Sequence, residues 1–102
     1  MRISRASYRR SGRLIPKRAR GLRAGSVALK PGASMPWHTT DDREELIIAL
    51  TGRIQIETER SQTSRLRTSL RAGQCALLPS RTRHAVVNRS TRTARYLYVT
   101  GR

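Results

Sequence analysis

One cysteine, six acidic residues and no long apolar run are the scarcities of this 102-residue chain, and each excludes something. The lone Cys75 can form no intrachain disulfide, so the fold must hold by packing, with the thiol expected as a small buried hydrophobe. No stretch approaches the ~20 apolar residues of a membrane span, and the first 25 residues lack the apolar run of a secretory signal. A cytoplasmic protein with no membrane partner is therefore the expectation. Helical periodicity is sustained nowhere, and repeats and low-complexity tracts are absent, which excludes helical bundles, solenoids and arrays.

The scarcity of acid leaves 22 basic residues almost unopposed, for a formal net charge of +16. All but Lys17 and Lys30 are arginines, and such a surface attracts anions. Residues 1–23 hold eight arginines and Lys17 with no acid, whereas the later basic residues stand singly in segments that alternate like strands. The arm's one aromatic residue is Tyr8, too few for stacking on single-stranded nucleic acid, so nucleic acid is not expected as a partner.

The arm reads as residues 1–23, with a short strand near 13–16 that pairs on a sheet edge or on a partner subunit, ahead of a β domain at 24–102. In the domain, short runs rich in Val, Ile, Leu, Thr and Tyr are separated by Gly, Pro, Asn and Ser. Strands are expected at 26–30, 35–39, 45–50, 53–59, 66–70, 74–78, 84–88 and 95–100, the pattern of an all-β sandwich or small barrel. The run "RIQIETE" alternates strictly, Ile54, Ile56 and Thr58 against Gln55, Glu57 and Glu59. "ELIIAL" is apolar on both faces, and the "TG" between these two runs predicts a tight hairpin turned at Gly52.

Four of the six acids, Asp41, Asp42, Glu44 and Glu45, cluster between His38 and the apolar run "LIIAL". On extended backbone His38 and Thr40 point one way, and Glu45 shares a face with Ile47 and Ala49, while parity turns Glu44 to the surface. A second histidine, His84, opens the strand "HAVVN". If that strand lies across the barrel, two imidazoles and one carboxylate converge. Such a set leaves coordination positions open and favours Fe, Mn, Ni, Co or Zn over Mg or Ca. A bound divalent cation would also compensate the charge of a carboxylate carried into an interior.

These residues fall in two gapped motifs through which the chain resembles the cupins. The first is Gly32, five residues, His38, one residue, Thr40, four residues, Glu45, six residues, Gly52; the family has a second histidine where Thr40 stands. The second is Gly73, five residues, Pro79, one residue, Arg81, two residues, His84, three residues, Asn88, with Arg81 in place of a family glycine. The resemblance covers residues 25–100 and implies a double-sheet jelly-roll β-barrel with little or no helix. It implies His38, Glu45 and His84 as ligands of a divalent metal, with Thr40 leaving a fourth position weak or open. It also implies a small-molecule ligand, a homodimer, and a dioxygenase-like or isomerase-like enzyme or a non-catalytic binding protein.

Other roles are expectations from position. Arg81 and Arg83, flanking His84, could meet a carboxylate or phosphate, or simply lie in a solvated loop. Tyr96 and Tyr98 share a strand face and could line a pocket or an interface, and Trp37, of opposite parity to His38, is expected to pack between sheets or at a subunit contact. Two alternatives stay open: histidines that are purely structural, and a Glu45 that pairs with an arginine such as Arg83.

Overall fold

The computed structural model describes residues 3–102; Met1 and Arg2, the first residues of the arm, lie outside it. Among the described residues nine strands run in the order β1 (Gly12–Arg13), β2 (Leu22–Leu29), β3 (Ser34–Thr39), β4 (Glu44–Thr51), β5 (Arg53–Glu59), β6 (Arg65–Arg71), β7 (Cys75–Leu78), β8 (Arg83–Val87) and β9 (Ala94–Gly101). They form two antiparallel sheets, β1-β2-β9-β4-β7 and β3-β8-β5-β6. No strand of one sheet pairs with a strand of the other among the described residues, so two facing layers make the barrel rather than one closed ladder. This is the all-β, double-sheet jelly roll that was expected. No helix among the described residues is long and apolar enough to cross a membrane.

Side-chain alternation builds the core. From β4, Ile47 and Ala49 point inward beside Ile54 and Ile56 of β5, Val86 of β8 and Tyr96 of β9, all nearly sealed from solvent. Each fully buried Ile or Val of this kind stabilises the fold by ~1.5–3 kcal/mol. The other face of β4 carries Leu46, Ile48 and Leu50, which are only half-buried. "ELIIAL" is thus apolar on both faces, but only one face is covered by the second sheet.

Gly52 does not turn a hairpin. β4 and β5 belong to different sheets, and a single residue between them leaves no loop in which they could pair. Gly52 instead takes φ 72° and swings the chain from one layer to the other, packed so closely on Ala94 that a Cβ would meet its Cα at 2.9 Å. The hairpin of the domain follows at β5–β6, paired in register from Arg53↔Arg71 to Glu59↔Arg65.

Two further expectations change. Cys75 is exposed on the edge strand β7 rather than buried. Glu57, on the polar face of the alternating run and so expected to meet solvent, is 7% exposed because Arg67 and Arg89 close over its carboxylate at 2.9 and 3.3 Å. The arm adds its strand β1 to the edge of β2, with Gly12↔Ser26 and Arg13↔Gly25 as partners, slightly ahead of the stretch expected.

Candidate metal centre

His38 owes its orientation to an irregularity in β3. The register against β8 shifts between Met35 and His38, and Pro36, which has no N–H to donate, sits within that bulge on an edge strand. The shift turns both Met35 and His38 to the cavity between the sheets. The Pro36 carbonyl lies 2.8 Å from His38 Nδ1, so that nitrogen carries the proton and Nε2 is left free. His38 is the exposed member of the site.

Glu45 and His84 form its buried floor, at 7% and 0% exposure. Glu45 is the second residue of β4, on the same face as Ile47, and His84 stands on β8 directly opposite His38. His84 Nδ1 lies 3.1 Å from the Thr82 carbonyl and donates to it, the two-residue reach seen at His38. That leaves His84 Nε2, 3.2 Å from Glu45 Oε2, as a second acceptor facing the first. Two acceptors at this distance require a cation between them, either a proton or a metal. Burial alone would lower the pKa of His84, but the Glu45 hydrogen bond, the Thr82 carbonyl and the charge of Glu45 outweigh it, and the net shift is upward from 6.5.

One ligand atom from each of His38, Glu45 and His84 lies within 4.8 Å of the others. Ligands sharing one ion at ~2.1 Å lie up to ~4.2 Å apart, so the cluster is close to the size one cation demands. Two neutral imidazoles and one carboxylate with their remaining positions open to a cavity fit a divalent transition metal or zinc.

Thr40 is not brought to this cluster. β3 ends at Thr39, and the Thr40 hydroxyl donates to the Pro79 carbonyl at 2.8 Å and accepts from the Thr82 amide at 2.9 Å. The residue standing where the family has an imidazole therefore ties the β3–β4 loop to the β7–β8 loop. Arg81 and Arg83 do not line the cavity either. Arg83 pairs with Glu59 at 3.3 Å and lies over the Trp37 ring, which also meets Arg65 and so sits under two guanidinium groups instead of between the sheets. Arg81 is exposed, with φ 56°. Asn88 is a loop clamp: its amide donates to the Leu29 and Arg92 carbonyls and its oxygen accepts from Ser90.

A cavity of about 560 Å³ opens beside the cluster, with His38 and Glu45 in its wall and His84 behind them. Tyr96 and Tyr98 are both on that wall. Burial first, then the charges of Glu45 and Tyr98, raise the Tyr96 pKa far above the ordinary phenol range, so its hydroxyl stays protonated. Sequence reasoning missed the cationic lining, which is Arg43 together with Arg13, Lys17, Arg20 and Arg23 of the arm. Arg43 stands in the turn before β4, where strand alternation gives no aim, so the pattern carried no signal for it. Nothing in the pattern of the arm showed that it folds back over the cavity.

The Cupin domain family model matches residues 25–100. No curated protein matches the chain in sequence. Among solved structures, a Cupin 2 conserved barrel domain protein from Salinispora arenicola CNS-205 superposes with TM-score 0.76 at 23% identity, covering 100% of this chain and 89% of its own. An oxalate oxidase superposes with TM-score 0.72 at 19% identity, covering 79% of this chain and 42% of its own. A sugar phosphate isomerase of the cupin superfamily from Silicibacter pomeroyi gives TM-score 0.65 at 22% identity, covering 81% and 52%. Apart from the Salinispora protein, the chain spans about half the length of these structures. At such identities the likeness shows the fold alone.

Proposed function

This chain belongs to the Cupin domain family, and from that premise we propose that it is a metal-dependent cupin that takes a small molecule into the cavity beside His38, Glu45 and His84. The observation that carries the reading is the approach of two acceptors, His84 Nε2 and Glu45 Oε2, to 3.2 Å in a buried setting. A divalent ion of Fe, Mn, Ni, Co or Zn would supply Lewis acidity towards a carbonyl or enolate, or a centre at which dioxygen reacts. Glu45 would neutralise one of its charges, His38 and His84 would hold it through Nε2, and Tyr96 would offer a protonated hydroxyl to whatever lies above it. Met35 and Val86 keep the neighbouring wall dry. Solved structures of this fold include an oxidase and an isomerase, which supports either dioxygenase-like or isomerase-like chemistry.

Element analysis and metal titration of the purified protein test the reading. About one ion per chain is expected, lost in Glu45→Gln. A metal-free protein with no measurable affinity for any of the five ions would overturn it. A second reading, non-catalytic binding of a small ligand, is favoured by one observation: the cavity's carboxylate and imidazole both belong to the metal set, leaving no separate general base among its described residues. Turnover of dioxygen, or isomerisation of a bound molecule, by the metal-loaded protein would exclude this second reading.

A homodimer and a cytoplasmic location belong to the same proposal. Half-buried Leu46, Ile48, Leu97 and Val99 and exposed Leu77 form an apolar outer face on the five-stranded sheet, the area a second copy would cover. Light scattering gives the mass, and a monomer at micromolar concentration would reject the pairing.

A further inference from the structure

Arg43 is a buried cation without an anion. It is 6% exposed, yet its guanidinium meets only neutral acceptors: Nε donates to Thr100 Oγ1 at 3.0 Å, and Nη2 to the Thr100 and Gly21 carbonyls at 3.1 and 3.3 Å. Its Nη1 makes no hydrogen bond among the described residues, and no carboxylate lies within 4.0 Å of the group. An arginine cannot shed its proton, and since no sealed side-chain nitrogen among the described residues lacks a partner, Nη1 is the part of the group that solvent or a ligand can reach, its donors open to an anion.

The surroundings point the same way. Thr100, which holds Arg43, is the cross-strand partner of Glu45, so the guanidinium stands beside the metal cluster. The same cavity wall carries Arg13, Lys17, Arg20 and Arg23, and none of the four is ion-paired among the described residues. The cavity therefore has a cluster able to hold a cation at one end and five cationic side chains around the rest.

We propose that Arg43 is the anion-recognition residue of this cavity, with Arg13, Lys17, Arg20 and Arg23 as its outer cations. The ligand is thus a small molecule carrying a carboxylate or phosphate group, gripped by the guanidinium while its other end faces His38 and Glu45. This rests on the reading of the cavity as a small-molecule site, and it makes the basic arm part of that site. Nε and Nη2 are held by Thr100 and Gly21, so Nη1, with two N–H donors left over, is the atom that would donate to an oxygen of either group.

Calorimetric titration of the full-length, metal-stripped protein with inorganic phosphate and with malonate tests the assignment, and whichever ion binds more tightly names the group. One site per chain is expected. Arg43→Gln should weaken it about tenfold or more, since hydrogen bonds to charged groups are lost, and Arg43→Lys should fall between. The pair Arg20→Gln and Arg23→Gln should weaken it several-fold, whereas Arg53→Gln with Arg60→Gln, exposed and away from the cavity, should not. Absence of stoichiometric binding, equal loss in the remote pair, or unchanged affinity in Arg43→Gln would overturn the proposal. Thermal melts report whether Arg43→Gln folds; if it does not, unchanged affinity in the Arg20 and Arg23 pair overturns it instead. Metal titration is run separately, so a protein that binds the anion but no metal removes the metal reading and leaves this one standing.

Discussion

His38 and His84 face each other across the β3–β8 ladder with ring centroids 4.2 Å apart and planes tilted by 55°, one ring open to solvent and the other sealed. The pair is chemically matched and structurally unequal. His38→Ala should abolish tight metal binding and change stability by about 0.5 kcal/mol or less, since it removes an exposed side chain whose hydrogen bond is local. His84→Ala should abolish metal binding and also destabilise the metal-free fold by about 2–4 kcal/mol, because it opens a hole and leaves Glu45 buried without its partner. Urea denaturation of both variants beside metal titration checks the split; equal stability losses would contradict it.

Glu45→Gln separates charge from shape. The amide can still donate to His84 Nε2, so the metal-free protein should keep its stability within about 1 kcal/mol, while metal affinity falls by about two orders of magnitude or more. Retention of metal by this variant would show that the carboxylate is not a ligand.

Thr40 joins two loops through one hydroxyl. Thr40→Val preserves shape and removes both bonds, and a loss of about 1–3 kcal/mol is expected, as the Thr82 amide and the Pro79 carbonyl both lose their partner. Thr40→Ser should recover most of it. Amide exchange at Thr82 provides a second readout, faster in the Val variant only.

Arg81 occupies left-handed backbone, φ 56°, as do the motif glycines 32, 52 and 73 at 81°, 72° and 90°. Its amide donates to the Asp41 carbonyl at 2.6 Å, and Asp41 is itself left-handed at φ 55°. Arg81→Gly should hold stability level or raise it by up to about 1 kcal/mol, relief of the Cβ clash being partly offset by the freedom glycine adds to the unfolded chain. Arg81→Val should lower it, since a branched side chain tolerates this region least. Thermal melts of the two variants should move apart in that order.

Gly25 lies beneath the Tyr98 ring, where a Cβ would overlap the phenol. Gly25→Ala should cost about 1–3 kcal/mol through overpacking. It should also displace Tyr98 in the cavity wall, so the anion titration described above would change with it.

Strand positions and the convergence of His38, Glu45 and His84 were legible in the sequence because both rest on period-two alternation and on spacing within extended chain. Parity aimed Glu45, while bringing His84 to it also took the spacing of the two gapped motifs. Parity failed where the backbone left the regular pleat. The end of β3 at Thr39 separates His38 from Thr40, which simple alternation had placed together, and the bulge at Pro36 turns Met35 and His38 to one cavity. It failed again at Gly52, where sheet membership, a long-range property, decides between a hairpin and a crossing. Arg43 escaped notice because a buried cation looks, in sequence, like any solvated one. Arg81 and Arg83, read as contacts for an anion or as part of a solvated loop, stand outside the cavity wall.

Trp37 is the chain's sole tryptophan and lies under Arg65 and Arg83 on the strand that presents His38. Its emission is consequently a label that the polypeptide already carries, adjacent along the backbone to a proposed ligand yet outside the cavity. Occupancy by a quenching ion, or loosening of the third strand, becomes visible in a cuvette without attaching any dye.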